Sequence, residues 1–153
     1  MVANREVILR LLMAVLCGGL VGLEREASGR AAGFRTHILV CIGSALVTLT
    51  AIHLMEAYKG VAAIDPGRVI AQVVSGIGFL GAGTIIQFRD SIRGLTTAAS
   101  LWTVAGIGLA VGSGFYVGAV STTTLVLVVL YMLSHVERRI VGSKRKGQPG
   151  GAD

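Results

Sequence analysis

The longest stretch of this sequence without Asp, Glu, Lys or Arg runs from Gly94 to Val136 and contains 43 residues. Two further charge-free stretches, Thr36 to Met55 and Val69 to Phe88, have 20 residues each, and residues 11–23 form a fourth. A helix needs about 20 apolar residues to cross the hydrocarbon core of a bilayer, so the longest stretch has room for two crossings. The stretches are continuously apolar, whereas the strands of a membrane barrel alternate in polarity. The sequence therefore predicts an all-α integral membrane protein.

Five transmembrane helices follow from these stretches, with the reversal inside the longest one at Gly112–Gly114, where glycines allow a tight turn. Residues 1–135 are predicted to form the transmembrane domain, and residues 136–153 a basic tail at the cytoplasmic membrane surface. Cleavage of the first span as a signal peptide is disfavoured, because charged residues separate it from the small residues that follow. The predicted spans are residues 6–23, 36–55, 69–87, 95–112 and 115–135.

The composition favours a lipid environment over a soluble or nucleic-acid-binding protein. Hydrophobic residues make up 53% of the chain and charged residues only 14%, whereas soluble domains carry roughly 25% charged residues. The formal net charge is +6, but long apolar stretches separate the basic residues, so they do not form one wet face for nucleic acid. Of the 14 Lys and Arg residues, four flank the side with the N-terminus and ten flank the other. The positive-inside rule then predicts an external N-terminus and a cytoplasmic C-terminus.

Glycines are concentrated in three of the predicted spans, and they are the candidate helix-packing residues. In lipid the hydrophobic effect does not drive helices together, and small residues allow the close approach that does. The third span has the most glycines, which predicts a tightly packed central helix; a broken helix lining a transport site is the alternative. The candidates are Gly18 and Gly22 in the first span, Gly76, Gly78, Gly81 and Gly83 in the third, and Gly108 and Gly112 in the fourth.

Two loops predicted on the cytoplasmic side carry polar residues that need an explanation. A positive-inside anchor requires only arginines, so the two glutamates of the first loop have another role. They either pair with arginines of the same or the next loop, or form a binding surface at the membrane face. Thr96 or Thr97 can cap the fourth helix or hydrogen-bond a neighbouring helix. The candidates for binding a ligand or partner are Glu24, Arg25, Glu26, Arg30, Arg35, Arg93 and Thr97.

The sequence contains no recognisable catalytic constellation. No Asp or Glu lies in the middle of a predicted span, where a proton-coupled exporter normally carries one. His37, His53 and His135 lie near predicted span ends without Cys or carboxylate partners at ligand spacing, which favours an interfacial role over metal binding. We therefore expect a protein that is not an enzyme and needs no cofactor, with Mg²⁺ left open and any metal site unknown.

Five motifs resemble those of the MgtC/SapB family of bacterial inner-membrane proteins. They are GLERE, GRAAGFRTHILVCIGSAL, GIGFLGAGTI, GLTTAASLW and GIGLAVGSGFY, and the resemblance extends from about Gly18 to Tyr131. It implies a multi-pass protein of the plasma (inner) membrane with a role in growth under magnesium limitation, in intracellular survival for pathogenic members, and in inhibition of the membrane ATP synthase. The resemblance also implies a cytoplasmic site around Glu24, Arg25, Glu26, Arg30, Arg35 and Thr97. Longer members continue into a soluble domain similar to the ACT fold, and this sequence looks like a short form without it.

Two functions stay open at this point. The first is a non-enzymatic regulator that binds another membrane complex, with ATP synthase as the partner that the resemblance implies. The second is an oligomeric transporter or channel for Mg²⁺ or another small ion. Five short helices enclose little room for a pathway of their own, so a homo-oligomer in the lipid bilayer is expected, with no nucleic-acid partner.

Overall fold

The part of the chain that the structure describes forms five helices and one short hairpin, in agreement with the predicted all-α bundle. The computed structural model describes residues 2–61, 65–89 and 91–145. Three of the helices, α1, α2 and α4, are long and apolar enough to cross a membrane, and each contains the span predicted for it. In chain order the elements are α1 (Asn4–Ala27), α2 (Phe34–Ala57), α3 (Pro66–Ala82), β1 (Ile86–Phe88), β2 (Ser91–Arg93), α4 (Leu95–Ser113) and α5 (Tyr116–Arg145).

The core lies between α1, α2 and α4, and α5 packs at its edge. Most of the buried side chains are small, so the helix axes can approach closely. Large apolar side chains instead point outward, as Leu16 of α1 and Leu39 of α2 do, which suits a surface covered by lipid. Both cysteines, Cys17 and Cys41, are buried and pack as small side chains. The core residues are Ala14, Cys17, Val21, Cys41, Ala45, Val104, Ile107, Val111 and Ala119.

Helix α1 packs against α2 through two glycines that lie four residues apart on one face. A Cβ atom at Gly18 would lie 2.8 Å from the carbonyl oxygen of His37. One at Gly22 would lie 2.8 Å from Cα of Phe34. Residues at this spacing are neighbours on a helix surface, so the two glycines form one continuous surface against which α2 packs.

Helix α4 packs against α2 in the same way. A Cβ atom at Gly108 would lie 2.3 Å from the carbonyl oxygen of Cys41, and one at Gly112 would lie 2.6 Å from that of Ala45. Real side chains do not approach a backbone oxygen this closely. Helix α2 is therefore the central helix, enclosed by a glycine pair on each side.

Helix α3 is peripheral, which differs from the central position predicted for the third span. Only two of its residues are buried, and Gly81 is the glycine among them. A Cβ atom there would lie 3.6 Å from Cβ of Ala98, an ordinary contact, whereas Gly76 and Gly78 have open space within 4 Å. Gly83 follows the helix and meets only carbonyl oxygens of its last turn. Spacings of two and three residues turn these glycines around the helix, so they cannot all face one neighbour.

The third helix ends at Ala82 rather than at the predicted residue 87, because the chain turns into an antiparallel hairpin. Ile86 pairs with Arg93, and two residues separate the strands. Gly94 follows at φ 91°, and a Cβ atom there would lie 1.8 Å from the carbonyl oxygen of Thr84. Only glycine fits, so this position fixes the hairpin against the start of α4.

The last two helices are joined at the predicted turn. Helix α4 ends at Ser113, and Gly114 adopts φ 83°, the left-handed conformation that ends many helices. Helix α5 continues past the predicted span through Arg145. The part of the predicted tail from 136 to 145 is thus helical, and residues 146–153 lie outside the described residues.

Candidate functional site

The α1–α2 loop and the β-hairpin lie at the same end of the bundle, because Arg30 from the loop and Arg93 from the hairpin line one pocket. We call this the basic end. It brings together candidates that are far apart in sequence, and the membrane side that it faces stays a prediction from the charge distribution. Its arginines are Arg25, Arg30, Arg35, Arg89 and Arg93.

Arg25 is a buried charge, with only 1% of the residue exposed. Its Nε and Nη2 groups both donate to Oε2 of Glu24. The other carboxylate oxygen, Oε1, accepts a 2.8 Å hydrogen bond from the Ser28 hydroxyl. A buried charge is costly unless it is paired and hydrogen-bonded, and the glutamate meets both needs. This pair lies inside the bundle end, unlike the solvated surface pairing that the sequence left open.

Glu26 has a different role from Glu24. Its Oε2 atom accepts a 2.7 Å hydrogen bond from the backbone N–H of Phe34, the first residue of α2. Gly33 precedes that helix and has no side chain to cap it. The carboxylate therefore caps α2 from the end of α1, where its negative charge also suits the helix dipole.

His37 is fully buried at the junction of α2 with α4, whereas the sequence favoured an interfacial position. Its Nδ1 atom lies 2.8 Å from the carbonyl oxygen of Gly33, which can only accept, so Nδ1 carries the hydrogen. Its Nε2 atom lies 3.0 Å from the Ser100 hydroxyl, which is also 2.8 Å from the carbonyl oxygen of Thr97. In the neutral ring, the single hydroxyl hydrogen can serve either acceptor. Polar contacts thus join α2 to α4 next to the Arg25 network.

The pocket beside this network has a volume of about 500 Å³ and opens at the start of α4. Thr97 is one of its lining residues and is only 3% exposed. Neither Thr96 nor Thr97 caps α4, because Gly94 occupies the N-cap position and has no side chain that could accept a hydrogen bond. Arg35 is exposed at the start of α2 and does not line this pocket. The lining residues are Arg30, Ile92, Arg93, Gly94, Leu95, Thr96 and Thr97.

A second polar cluster, at the opposite end of the bundle, was missed by the sequence reasoning. Arg10 donates from Nη1 to the carbonyl oxygen of Gly112 at 2.7 Å, and from Nε to Glu6 Oε1 at 3.0 Å. The Tyr116 hydroxyl lies 3.1 Å from the same Nε and donates to Glu6. The four-residue spacing of Glu6 and Arg10 was a usable signal for the pair. The contact with the α4–α5 turn had no local signal.

The part of the chain that the structure describes holds no group of three His, Cys, Asp and Glu residues placed to bind a metal ion. The expectation that the protein needs no cofactor stays a prediction.

The comparison with known proteins decides the family. The sequence profile of the MgtC family matches residues 11–139. The chain belongs to the MgtC family. It is 43% identical over 133 residues to the protein MgtC of Salmonella typhimurium strain 14028s, which covers 87% of this chain and 54% of that protein. Family membership and the three membrane-capable helices together show a membrane protein.

Two further relatives widen the comparison. The protein SapB of Bacillus subtilis strain 168 is 39% identical over 140 residues, covering 88% of this chain and 60% of SapB. The "Putative magnesium transporter YhiD" of Escherichia coli strain K12 is 38% identical over 138 residues, covering 89% of this chain and 64% of YhiD. The chain thus spans from about half to about two thirds of the length of these MgtC-family relatives. No solved structure matches it.

Proposed function

We propose that this MgtC-family protein is a non-enzymatic regulator of the bacterial inner membrane that binds another membrane complex during growth under magnesium limitation. The membrane ATP synthase is the candidate partner that the family resemblance implies. The observation that carries the proposal is the Glu24–Arg25 ion pair at the basic end, in which the Arg25 guanidinium is buried. Both carboxylate oxygens of Glu24 are already hydrogen-bonded, to Arg25 and to Ser28, so this carboxylate is not a free ligand for a divalent cation.

The contacts around this pair support a surface that is rigid before any partner binds. Glu26 fixes the start of α2, and the contact of His37 with Ser100 fixes α2 against α4. A surface ordered in advance loses less conformational entropy on binding, which favours affinity. The exposed side chains of Arg30 and Arg93 give this end a positive charge that complements an acidic partner.

A magnesium transporter is the second candidate, and the name of the relative YhiD is the observation that favours it. Mg²⁺ prefers octahedral oxygen ligands, often carboxylates. Apart from His37, the polar side chains buried along α2 are hydroxyls, and that of Thr48 bonds to the carbonyl oxygen of Ser44 at 2.9 Å within its own helix. A transport site would therefore need ligands from more than one copy of the chain.

Complementation of a deletion strain in low magnesium tests the regulator proposal. Glu24→Gln and Glu26→Gln are expressed to matched levels, and Glu56→Gln at the far end of α2 is the control. We expect Glu24→Gln to fail, because the neutral amide leaves the Arg25 charge without its counter-charge, while membrane insertion is retained since Lys and Arg dominate topology. Thermal unfolding of each purified variant separates lost function from lost fold.

Partner capture and flux measurements separate the two candidates. The full chain, purified in mild detergent from cells grown in low and high magnesium, is expected to retain ATP synthase subunits in low magnesium and to lose them in the Glu24→Gln variant. The same chain in liposomes is expected to give no Mg²⁺ flux. Full complementation by the Glu24→Gln/Glu26→Gln double variant would reject the proposed site, and Mg²⁺ flux without partner capture would favour the transporter.

A further inference from the structure

Two arginines from different segments converge on the pocket at the start of α4. Arg30 comes from the α1–α2 loop and Arg93 from the end of β2. Neither side chain makes a hydrogen bond or ion pair with the part of the chain that the structure describes. The two positive charges repel each other, and a negative charge between them would relieve this repulsion.

The first turn of α4 opens into the same pocket. Its Leu95, Thr96 and Thr97 N–H groups lie before the first bonded amide, that of Ala98, which donates to the carbonyl oxygen of Gly94 at 2.9 Å. Gly94 offers no side-chain cap. Amides at a helix start bind anions well, because they point outward and carry the positive end of the helix dipole.

Thr97 provides an independent sign of a ligand. It is 3% exposed, yet its hydroxyl has no hydrogen-bond partner among the described residues. The buried threonines of the other helices, Thr48 and Thr123, bond back to carbonyl oxygens of their own helix. Thr97 has no such acceptor within α4, because the residue four positions earlier is Arg93, which lies in β2.

The unpartnered hydroxyl is also reachable from the pocket. Every fully occluded side-chain nitrogen and oxygen atom in the described residues has a partner. The Thr97 hydroxyl has none, so it is not fully occluded, and the small exposed part of Thr97 must include this atom. Since Thr97 lines the pocket, the hydroxyl can donate to a group bound there.

We propose that this pocket binds a phosphoryl group. Its oxygens would accept from the guanidinium groups of Arg30 and Arg93, from the first-turn amides of α4 and from the Thr97 hydroxyl, which are the donor types suited to phosphate. Ile92 and Leu95 line the pocket and are each 57% exposed, so apolar surface borders the site. The group can therefore come from a lipid headgroup or from a soluble phosphate. The inference goes beyond the proposed function and does not rest on it.

Binding is tested on the purified full chain in two arms. In the first, inorganic phosphate and pyrophosphate are titrated in neutral detergent and followed by calorimetry. In the second, the chain is reconstituted in phosphatidylcholine vesicles with or without phosphatidylglycerol, re-extracted, and its retained lipid is measured by native mass spectrometry. Thr97→Val and Arg93→Gln are the site variants. Their matched controls are Thr103→Val, also in α4, and Arg35→Gln, also at the basic end.

We expect each site variant to weaken binding by about tenfold, the loss typical of one hydrogen bond to a charged group, in whichever arm binds. Thr97→Val should leave the ligand-free unfolding temperature unchanged or raised, because the hydroxyl has no hydrogen-bond partner among the described residues. The controls should stay within about twofold, as expected for exposed side chains outside the site. Binding in the first arm alone identifies a soluble phosphate, and retention of phosphatidylglycerol identifies a lipid headgroup.

Three results would overturn the inference. One is the absence of binding in both arms. Another is an equal loss in Arg35→Gln and Arg93→Gln, which would mean that general surface charge binds the anion. The third is a lower ligand-free unfolding temperature in Thr97→Val with unchanged binding, which would make the threonine a packing residue.

Discussion

Replacing Gly108 by alanine should open the interface between α2 and α4. The added Cβ atom would lie 2.3 Å from the carbonyl oxygen of Cys41 and 2.8 Å from Cβ of Ser44. A relaxed contact needs about 3.5 Å, so the two helices must separate locally by about 1 Å. Neither the Cys41 carbonyl oxygen nor the Ser44 Cβ atom can move aside without moving α2, because one is a backbone atom and the other is bonded directly to the backbone.

The cost follows from this geometry. Forcing a methyl group into a packed interface typically costs about 1–3 kcal/mol. Alanine regains roughly 0.5–1 kcal/mol because it loses less backbone entropy than glycine in a helix. From the midpoints of these ranges, we expect the free energy of unfolding to fall by about 1 kcal/mol.

Gly106 provides a control in the same helix, since a Cβ atom there has open space within 4 Å. Gly106→Ala should leave stability unchanged or slightly raised. The free energy of unfolding of both variants is measured by titration with sodium dodecyl sulfate in mixed micelles, with helicity as the signal. Equal stability of Gly108→Ala and Gly106→Ala would refute the account of α2 as a helix enclosed by glycines.

Three further predictions use the same unfolding assay. Gly81→Leu should reduce stability, because the longer side chain would collide with α4, whereas Gly78→Leu should not; a loss in Gly78→Leu alone would place α3 elsewhere. Tyr116→Phe should lower the free energy of unfolding by about 1 kcal/mol, the value of a lost hydrogen bond, because the Tyr116 hydroxyl accepts from Arg10. An unchanged free energy of unfolding would show that this cluster does not stabilise the fold. Gly94→Ala should cost about 1–3 kcal/mol through backbone strain, and full stability would show that the hairpin moves freely.

Local sequence patterns predicted the helices and identified two glycine faces. Charge-free length alone predicts five helices, because lipid requires every backbone group to be bonded within its own segment. The four-residue spacing of Gly18 with Gly22, and of Gly108 with Gly112, places each pair on one face. This spacing identifies faces that can approach a neighbour, but it does not say which helix that neighbour is.

Features that depend on distant parts of the chain could not be predicted. Residues 83–88 carry no charge and are mostly apolar, so they extend the pattern of a span, although Ile86 pairs with Arg93 in a hairpin. The different roles of Glu24 and Glu26 depend on where α1 ends relative to the start of α2. Burial of His37 likewise depends on Ser100, which is 63 positions later in the chain.

The central position of α2 has a consequence for how the protein is made. Helices α1 and α2 leave the ribosome first and can pair at once through Gly18 and Gly22, but the other face of α2 has to wait for α4. During synthesis of α3, His37 lacks Ser100, and the groove on α2 that later accepts Gly108 lies open to lipid or to the insertion machinery. A nascent chain that stops before α4 therefore leaves the Nε2 atom of His37 without the Ser100 hydroxyl. We expect such a chain to be less stable than the full protein, because the contacts between α2 and α4 form only after the fourth helix has been made.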